Sequence, residues 1–483
     1  MNQQTPIPGP NSSQAVPASG ERYRPRHHFT PRKNWMNDPN GLVYFDGEYH
    51  LFYQYNPHGI GWGHMSWGHA VSTDLLVWDE LPVAIPETDQ MIFSGCCVID
   101  WNDTSGLGDG TVPPMLAYFT AHDDATKRQT QHIAYSLDRG RTFKHYAGNP
   151  IIDLGLEHFR DPKVFFHADT AAWIMAVALP REHKVQFYRS TDLLAWTLAS
   201  EFGPAGATSG QWECPDIFLV PIDGRPDESH WVLKVDVDND FVDGGSGAQY
   251  FVGDFDGTQF VVDPERGAPD GDLVDFGPDF YAAVSWSDLP PDRPGPLWIG
   301  WMSNHQTGKD YPTDPWRGAQ SLPRTLFLFE EKGRLRLGQR PAQQITPPAA
   351  LAETQAIPGA TIPIFTLDTP AAKRVLLTSD TDARFRLDLS DDTQVLLSIE
   401  VDRPTGSIWA RRASTTGLPP AFARSTACTL PMTQTIAFDI HFDGYLVEIF
   451  IDGGRRVYSA CLFPKTSPAL GMTALSGNVS IRL

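Results

Sequence analysis

Five cysteines in 483 residues are too few, and too irregularly placed, to build a fold on a disulfide framework. Their odd number leaves at least one thiol unpaired. A bridge between Cys428 and Cys461 stays open, and buried thiols are the more economical reading for all five (Cys96, Cys97, Cys214, Cys428, Cys461). Basic residues are also short. Against 58 Asp and Glu stand 38 Lys and Arg, giving a formal net charge of -20 and a pI near 5.1. That balance argues against nucleic acid or an anionic membrane as partner and favours a neutral ligand. No run of ~18 apolar residues occurs, so no segment reads as a membrane-spanning helix. Long amphipathic helical periods are missing as well. What the chain has instead is 41 Gly, 41 Pro and 55 aromatic residues (14 Trp, 14 Tyr, 27 Phe), the composition of many short strands joined by turns.

The length predicts two domains. Residues 1–21 are rich in Asn, Gln, Ser and Pro and lack the basic start and apolar stretch of a signal peptide, so they read as a disordered tail. Leu42-Val-Tyr-Phe, Asp46-Gly47 and Glu48 to Tyr55 predict a hairpin from turn chemistry and β-propensity. Ser72-Thr-Asp74-Leu-Leu-Val-Trp78 returns as Ser190-Thr-Asp192-Leu-Leu-Ala-Trp196, more loosely as Ser136-Leu-Asp138 leading to Phe143, and again around Gly253 to Phe260. Such a repeat, roughly every 55–65 residues, suits a unit of about four short strands and predicts a propeller of about five blades. The expected fold is therefore all-β, with a five-bladed β-propeller over 22–338, a linker over 339–356 and a β-sandwich over 357–483.

Three carboxylates share one kind of setting: Asp38 in Trp-Met-Asn-Asp-Pro, Asp161 in Phe-Arg-Asp-Pro and Glu213 in Trp-Glu-Cys-Pro. The prolines place them at strand ends or turns, and in a propeller they can converge on the axial pocket. Two carboxyls ~5–5.5 Å apart serve a retaining glycosidase as nucleophile and general acid/base. Local neighbours suggest the roles. Asn37 and Asn40 should keep Asp38 ionised as nucleophile. Trp212 and Cys214 should raise the pKa of Glu213 as acid, and Arg160 should hold Asp161 anionic.

The chain resembles glycoside hydrolase family 32, the β-fructosidases, over nearly its whole length. The stretches that carry the likeness are Trp35-Met-Asn-Asp-Pro-Asn-Gly41, Phe52-Tyr-Gln-Tyr-Asn-Pro57, Trp62-Gly-His-Met-Ser-Trp-Gly-His69, Phe93-Ser-Gly95, Phe159-Arg-Asp-Pro162, Trp212-Glu-Cys-Pro-Asp216, Asp279-Phe-Tyr-Ala282 and Pro315-Trp-Arg-Gly318. The resemblance implies a propeller plus sandwich and retaining transfer of a fructosyl unit. Asp38 would be the nucleophile, Glu213 the acid/base and Asp161 the transition-state stabiliser. Asn37, Gln54, Trp62, Phe93, Ser94, Arg160 and Tyr281 would line the sugar pocket. Bacterial levanases and exo-inulinases are the most similar members. No cofactor or metal is implied, and the expected partner is a fructan or sucrose-type carbohydrate, with no nucleic acid and no membrane. A polymeric substrate favours secretion over a cytoplasmic location.

The chain departs from that pattern at His305, where levanases usually have a second Trp facing the sugar. It departs again at Lys234 to Phe241, which carries Asp236, Asp238 and Asp240. Those acids read as one solvated strand face, since Phe241 stands where an EF-hand needs glycine. His58, His64 and His69 lack zinc spacing. The departures bring in a levan fructotransferase, forming a cyclic difructose dianhydride, as the alternative to hydrolysis. A non-catalytic fructan-binding lectin ranks behind both.

Overall fold

The computed structural model describes residues 21–343, 353–367, 370–431 and 433–482. The expected tail lies outside these except for Glu21. So does the middle of the expected linker, residues 344–352. Strands run up to Pro341 and start again at Glu353, so both ends of the 339–356 segment belong to sheets.

Five blades of four principal strands surround one axis, the fourth and fifth joined into one nine-stranded sheet where Ile222 pairs with Leu328. Their inner strands are Asn34–Phe45, Met91–Ile99, Arg160–His167, Trp212–Ile222 and Tyr281–Ser285, and each packs beside the next until the fifth meets the first. Blade 1 and blade 5 are further tied where Asn34 and Trp35 pair in parallel with Trp316 and Arg317. The internal repeat marks the same corner of each blade. Ser72, Ser136 and Ser190 each end a third strand, and each hydroxyl accepts backbone N–H groups from the turn that follows. Asp74, Asp138 and Asp192 accept the next N–H groups, so a short polar side chain closes every corner. At the fourth corner Asp256 does the same for Thr258 and Gln259.

The second domain is two six-stranded sheets packed on one apolar core, with Phe385, Leu387, Val401, Phe438, Ile449 and Met472 among its buried residues. Its junction with the propeller is partly ionic. Arg324 pairs with Glu448 and Asp275, Arg412 pairs with Asp279, and all five side chains are buried. The segment after the tail crosses this junction. Backbone N–H groups of Arg26, His27 and His28 donate to Asp443, and the His28 ring bridges Asp443 and Glu448. All five cysteines are free thiols, so Cys428 and Cys461 do not pair. The Cys461 thiol donates instead to the Met302 carbonyl at 3.3 Å.

Candidate active site

Every inner strand breaks register near its start. Pairing skips between Met36 and Pro39, Ile92 and Gly95, Glu213 and Asp216, and Tyr281 and Val284. In blade 3, Arg160 to Lys163 spans one residue more than its partner strand. Pro39, Pro162 and Pro215 have no N–H to give the ladder, so a bulge forms where each follows its acid. Three bulge residues take left-handed φ: Asp161 at 68°, Cys214 at 46° and Ala282 at 54°. Asp161 thus takes a left-handed geometry at the start of its strand, within the strand-end or turn setting expected from its proline. In blade 2 a glycine does the work of the proline: a Cβ on Gly95 would sit 1.9 Å from the Tyr118 carbonyl oxygen. These bulges turn Asp38, Ser94, Asp161 and Glu213 toward one cavity of about 450 Å³ on the axis.

Asn37, Gln54, Trp62, Phe93, Arg160 and His305 complete the expected residues around that cavity. Tyr281 lies behind it, 1% exposed, with its hydroxyl donating to Glu213 Oε2. Ser94 Oγ donates to Asp38 Oδ2 at 2.6 Å and Asn37 Nδ2 to Asp38 Oδ1 at 3.0 Å. The Trp35 indole fixes Asn37 in turn at 2.7 Å. Asp161 Oδ2 accepts the Cys214 N–H at 2.9 Å. Trp62 is 56% exposed and meets Phe93 edge-on, while His122 stacks on the other face of Phe93 at 4.6 Å. This aromatic wall offers a sugar an apolar face.

The electrostatics correct the charge states expected from sequence neighbours. Arg160 turns its guanidinium to Glu213 Oε1, at 3.0 Å from Nε and 2.7 Å from Nη2. Its approach to Asp161 is only 3.9 Å. Consecutive residues on a strand point to different faces, so the sequence neighbour is not the partner. The same rule removes Trp212 from Glu213: the indole is buried between blades 3 and 4 and donates to the Ala207 carbonyl. Burial alone would raise the Glu213 carboxyl. Arg160, His305 and the Tyr281 hydrogen bond outweigh it and lower the pKa to about 2. At Asp161 burial wins over Arg160, helped by the charges of Glu213 and Asp38, and the pKa is raised to about 7. Burial also raises Asp38, against the hydrogen bonds from Ser94 and Asn37.

Asp236 corrects another expectation. It is fully buried beneath the pocket and paired with Lys234, whose ammonium also donates to the carbonyls of Cys214 and Ala283. Only Asp238 and Asp240 of that acidic run reach solvent, and Asp238 accepts the Gln211 N–H at 2.8 Å. His305 is 44% exposed at the rim, edge-on to Tyr281 at 4.6 Å, with Nε2 at 3.7 Å from Glu213 Oε2. Sequence reasoning missed Trp35, His122, Gln129, His158, Trp301, Asn304 and Lys309 as lining residues. Trp35 and Trp301 had a signal, an aromatic beside a matched motif. His122 and Gln129 come from the two middle strands of blade 2 and carry none.

A model of the glycosyl hydrolases family 32 N-terminal domain matches residues 28–341, and one of the family 32 C-terminal domain matches 335–482. The chain is 41% identical over 478 residues to a levanase of Bacillus subtilis, covering 96% of this chain and 70% of the levanase. To an extracellular exo-inulinase of Aspergillus niger it is 42% identical over 351 residues, 66% of this chain and 65% of the relative. Among solved structures, an exo-inulinase of Aspergillus awamori superposes with a TM-score of 0.87 at 34% identity, covering 95% of this chain and 97% of that one. A β-fructofuranosidase of Schwanniomyces occidentalis complexed with fructosyl-erythritol gives 0.84 at 31% identity, with 96% and 98% covered. The chain belongs to glycosyl hydrolase family 32, the glycoside hydrolases of fructans and sucrose.

Proposed function

We propose that this chain is a retaining β-fructosidase that takes fructans, levan before inulin, and releases fructose by hydrolysis. The observation that carries the reading is the convergence of Asp38, Asp161 and Glu213 on one cavity walled by aromatic rings. Asp38 attacks the anomeric carbon and forms the fructosyl-enzyme, while Glu213 gives its proton to the departing oxygen. Glu213, now anionic, takes a proton from water, whose oxygen attacks the same carbon and frees Asp38. Asp161 accepts hydrogen bonds from sugar hydroxyls and balances the charge that develops on the ring. Arg160 occupies Glu213 Oε1, so Oε2 is the oxygen that carries the transferred proton. The polymer argues for action outside the cell.

His305 favours one second reading, intramolecular transfer. An imidazole 3.7 Å from Glu213 Oε2 can hydrogen-bond a hydroxyl arriving at the acceptor side, where an indole face could only stack. A hydroxyl of the departing chain end would then replace water and give a cyclic difructose. Incubation with levan, inulin and sucrose, followed by identification of products, tests both. Free fructose from levan supports hydrolysis and a cyclic difructose supports transfer. No turnover of any of the three removes the catalytic assignment of the acids and leaves a sugar-binding protein.

A further inference from the structure

A second cavity, of about 500 Å³, lies where blade 4 meets the sandwich. It is as large as the catalytic pocket and within the ~300–1,000 Å³ usual for ligand sites. Trp409 forms one wall. It projects from the strand Ser407–Arg412 opposite Ala427, a side chain too small to cover it, and is 56% exposed. Leu273, 38% exposed, and Phe241 supply apolar surface across from it. Exposed Asp243 and Asp270 stand on the rim, and Asp243 Oδ2 already holds the Ser425 N–H at 2.9 Å. Thr426 lines the same cleft. It is 6% exposed, and its Oγ1 has no hydrogen-bond partner among the described residues. A buried hydroxyl left unpaired is costly, so such a group calls for a partner from whatever fills the cleft. An indole face, rim carboxylates and an unpaired hydroxyl together suit a polyhydroxylated, uncharged chain.

The cleft adjoins the catalytic rim. Gly244, next to Asp243, accepts a hydrogen bond from the Gln306 side chain, and the His305 N–H donates to Ser246 Oγ at 3.3 Å. Arg424 clamps the two segments by reaching both the Asp243 carbonyl and Gln306 Oε1. The wall between the cavities is therefore the pair of segments 243–246 and 305–306. We propose that this cleft binds a second stretch of the fructan chain whose end occupies the catalytic pocket. The proposal rests on the fructan reading above.

The test uses the full chain and Trp409→Ala, with Trp409→Phe as the conservative variant and Thr426→Val as a second probe. Migration is measured in native gels containing levan, inulin or dextran, and kcat and KM are measured on levan and on sucrose. Loss of one stacking platform should weaken retardation by a fructan about tenfold. The same variant should raise KM for levan by a similar factor, leave kcat and all sucrose kinetics unchanged, and be largely rescued by phenylalanine. Wild-type retardation in Trp409→Ala, a parallel loss on sucrose, or equal retardation by dextran would each overturn it. Failure of the fructan reading looks different: the wild-type chain would then turn over sucrose and neither fructan, whatever the gels show.

Discussion

His28 is the most informative stability probe in the molecule because it carries a charge at a dry junction. Its ring is 1% exposed, with Nδ1 at 3.0 Å from Asp443 and Nε2 at 2.9 Å from Glu448. Burial works against the imidazolium, but hydrogen bonds and charges of the two carboxylates outweigh it and push the pKa up from 6.5 to about 9. A folded-state value above the unfolded one means the stabilisation is complete below about 6.5 and is lost as pH rises through about 9. That difference corresponds to about 3 kcal/mol. The groups facing His28 do not blur this window. Glu448 is lowered to about 2 and Asp443 is lowered as well, so both are ionised throughout, and His441 is lowered to about 4 and stays neutral. Urea unfolding followed by tryptophan fluorescence should be run at pH 6 and pH 10 on wild type and His28→Gln. The wild-type advantage should be largest at pH 6 and shrink by about 3 kcal/mol at pH 10. An advantage that is the same at both pH values would refute the charged His28 and leave it a neutral packing residue.

Three further outcomes concern the catalytic cavity. Asp38→Asn should abolish turnover while the far-UV spectrum and sugar binding stay near wild type, and substantial residual activity would remove Asp38 as nucleophile. Glu213→Gln should cost roughly 10²–10⁴-fold in kcat on fructans. It should cost far less for the first step on fructosyl fluoride, which needs no protonation to leave; equal losses on both would contradict the acid role. The Asp161 carboxyl, raised to about 7, holds a proton below that pH and loses it above. If that proton is shared with Glu213 during catalysis, kcat/KM should fall as pH rises through about 7, and a profile flat to pH 9 would separate Asp161 from proton supply.

The acids and most of their pocket were legible because each bulge is written in contiguous residues. A proline or glycine that breaks the ladder sits beside the side chain it redirects, as Pro39 does for Asp38 and Gly95 for Ser94. The repeat was legible for the same reason, since Ser and Asp close a corner within five residues. Electrostatics were not. Arg160 finds its partner 53 positions away across a blade boundary, and Trp212 turns its ring into the core, so neither effect follows from adjacency. Asp236 failed likewise. The run was read as one solvated face, but Asp236 is buried and satisfied by Lys234, and only Asp238 and Asp240, beyond the point where pairing breaks register, reach solvent. Nothing local marks His122 or Gln129, which arrive with the two middle strands of blade 2.

The charge inventory of the cavity explains why these departures matter to the reaction. Three buried carboxyls face one buried cation, Arg160, which is committed to Glu213, while Lys309 stands exposed at the edge of the cavity. Keeping Asp38 and Asp161 both ionised beside Glu213 is unfavourable in a poorly solvated pocket, and the raised pKa of each expresses this. The shifts run opposite to what catalysis needs: burial favours the protonated form of both aspartates, while Arg160, His305 and Tyr281 favour an ionised Glu213. Substrate must reverse the arrangement. Sugar hydroxyls that donate to Asp38 and Asp161 would stabilise their anionic forms, and the Glu213 oxygen that Arg160 does not hold is Oε2, which accepts the Tyr281 hydroxyl. Of the two residues beside Oε2, Tyr281 is buried and His305 reaches solvent. An indole at position 305 would leave Oε2 no ionisable neighbour open to water. Histidine there instead sets a ring nitrogen 3.7 Å from Oε2, on the solvent side of the acid.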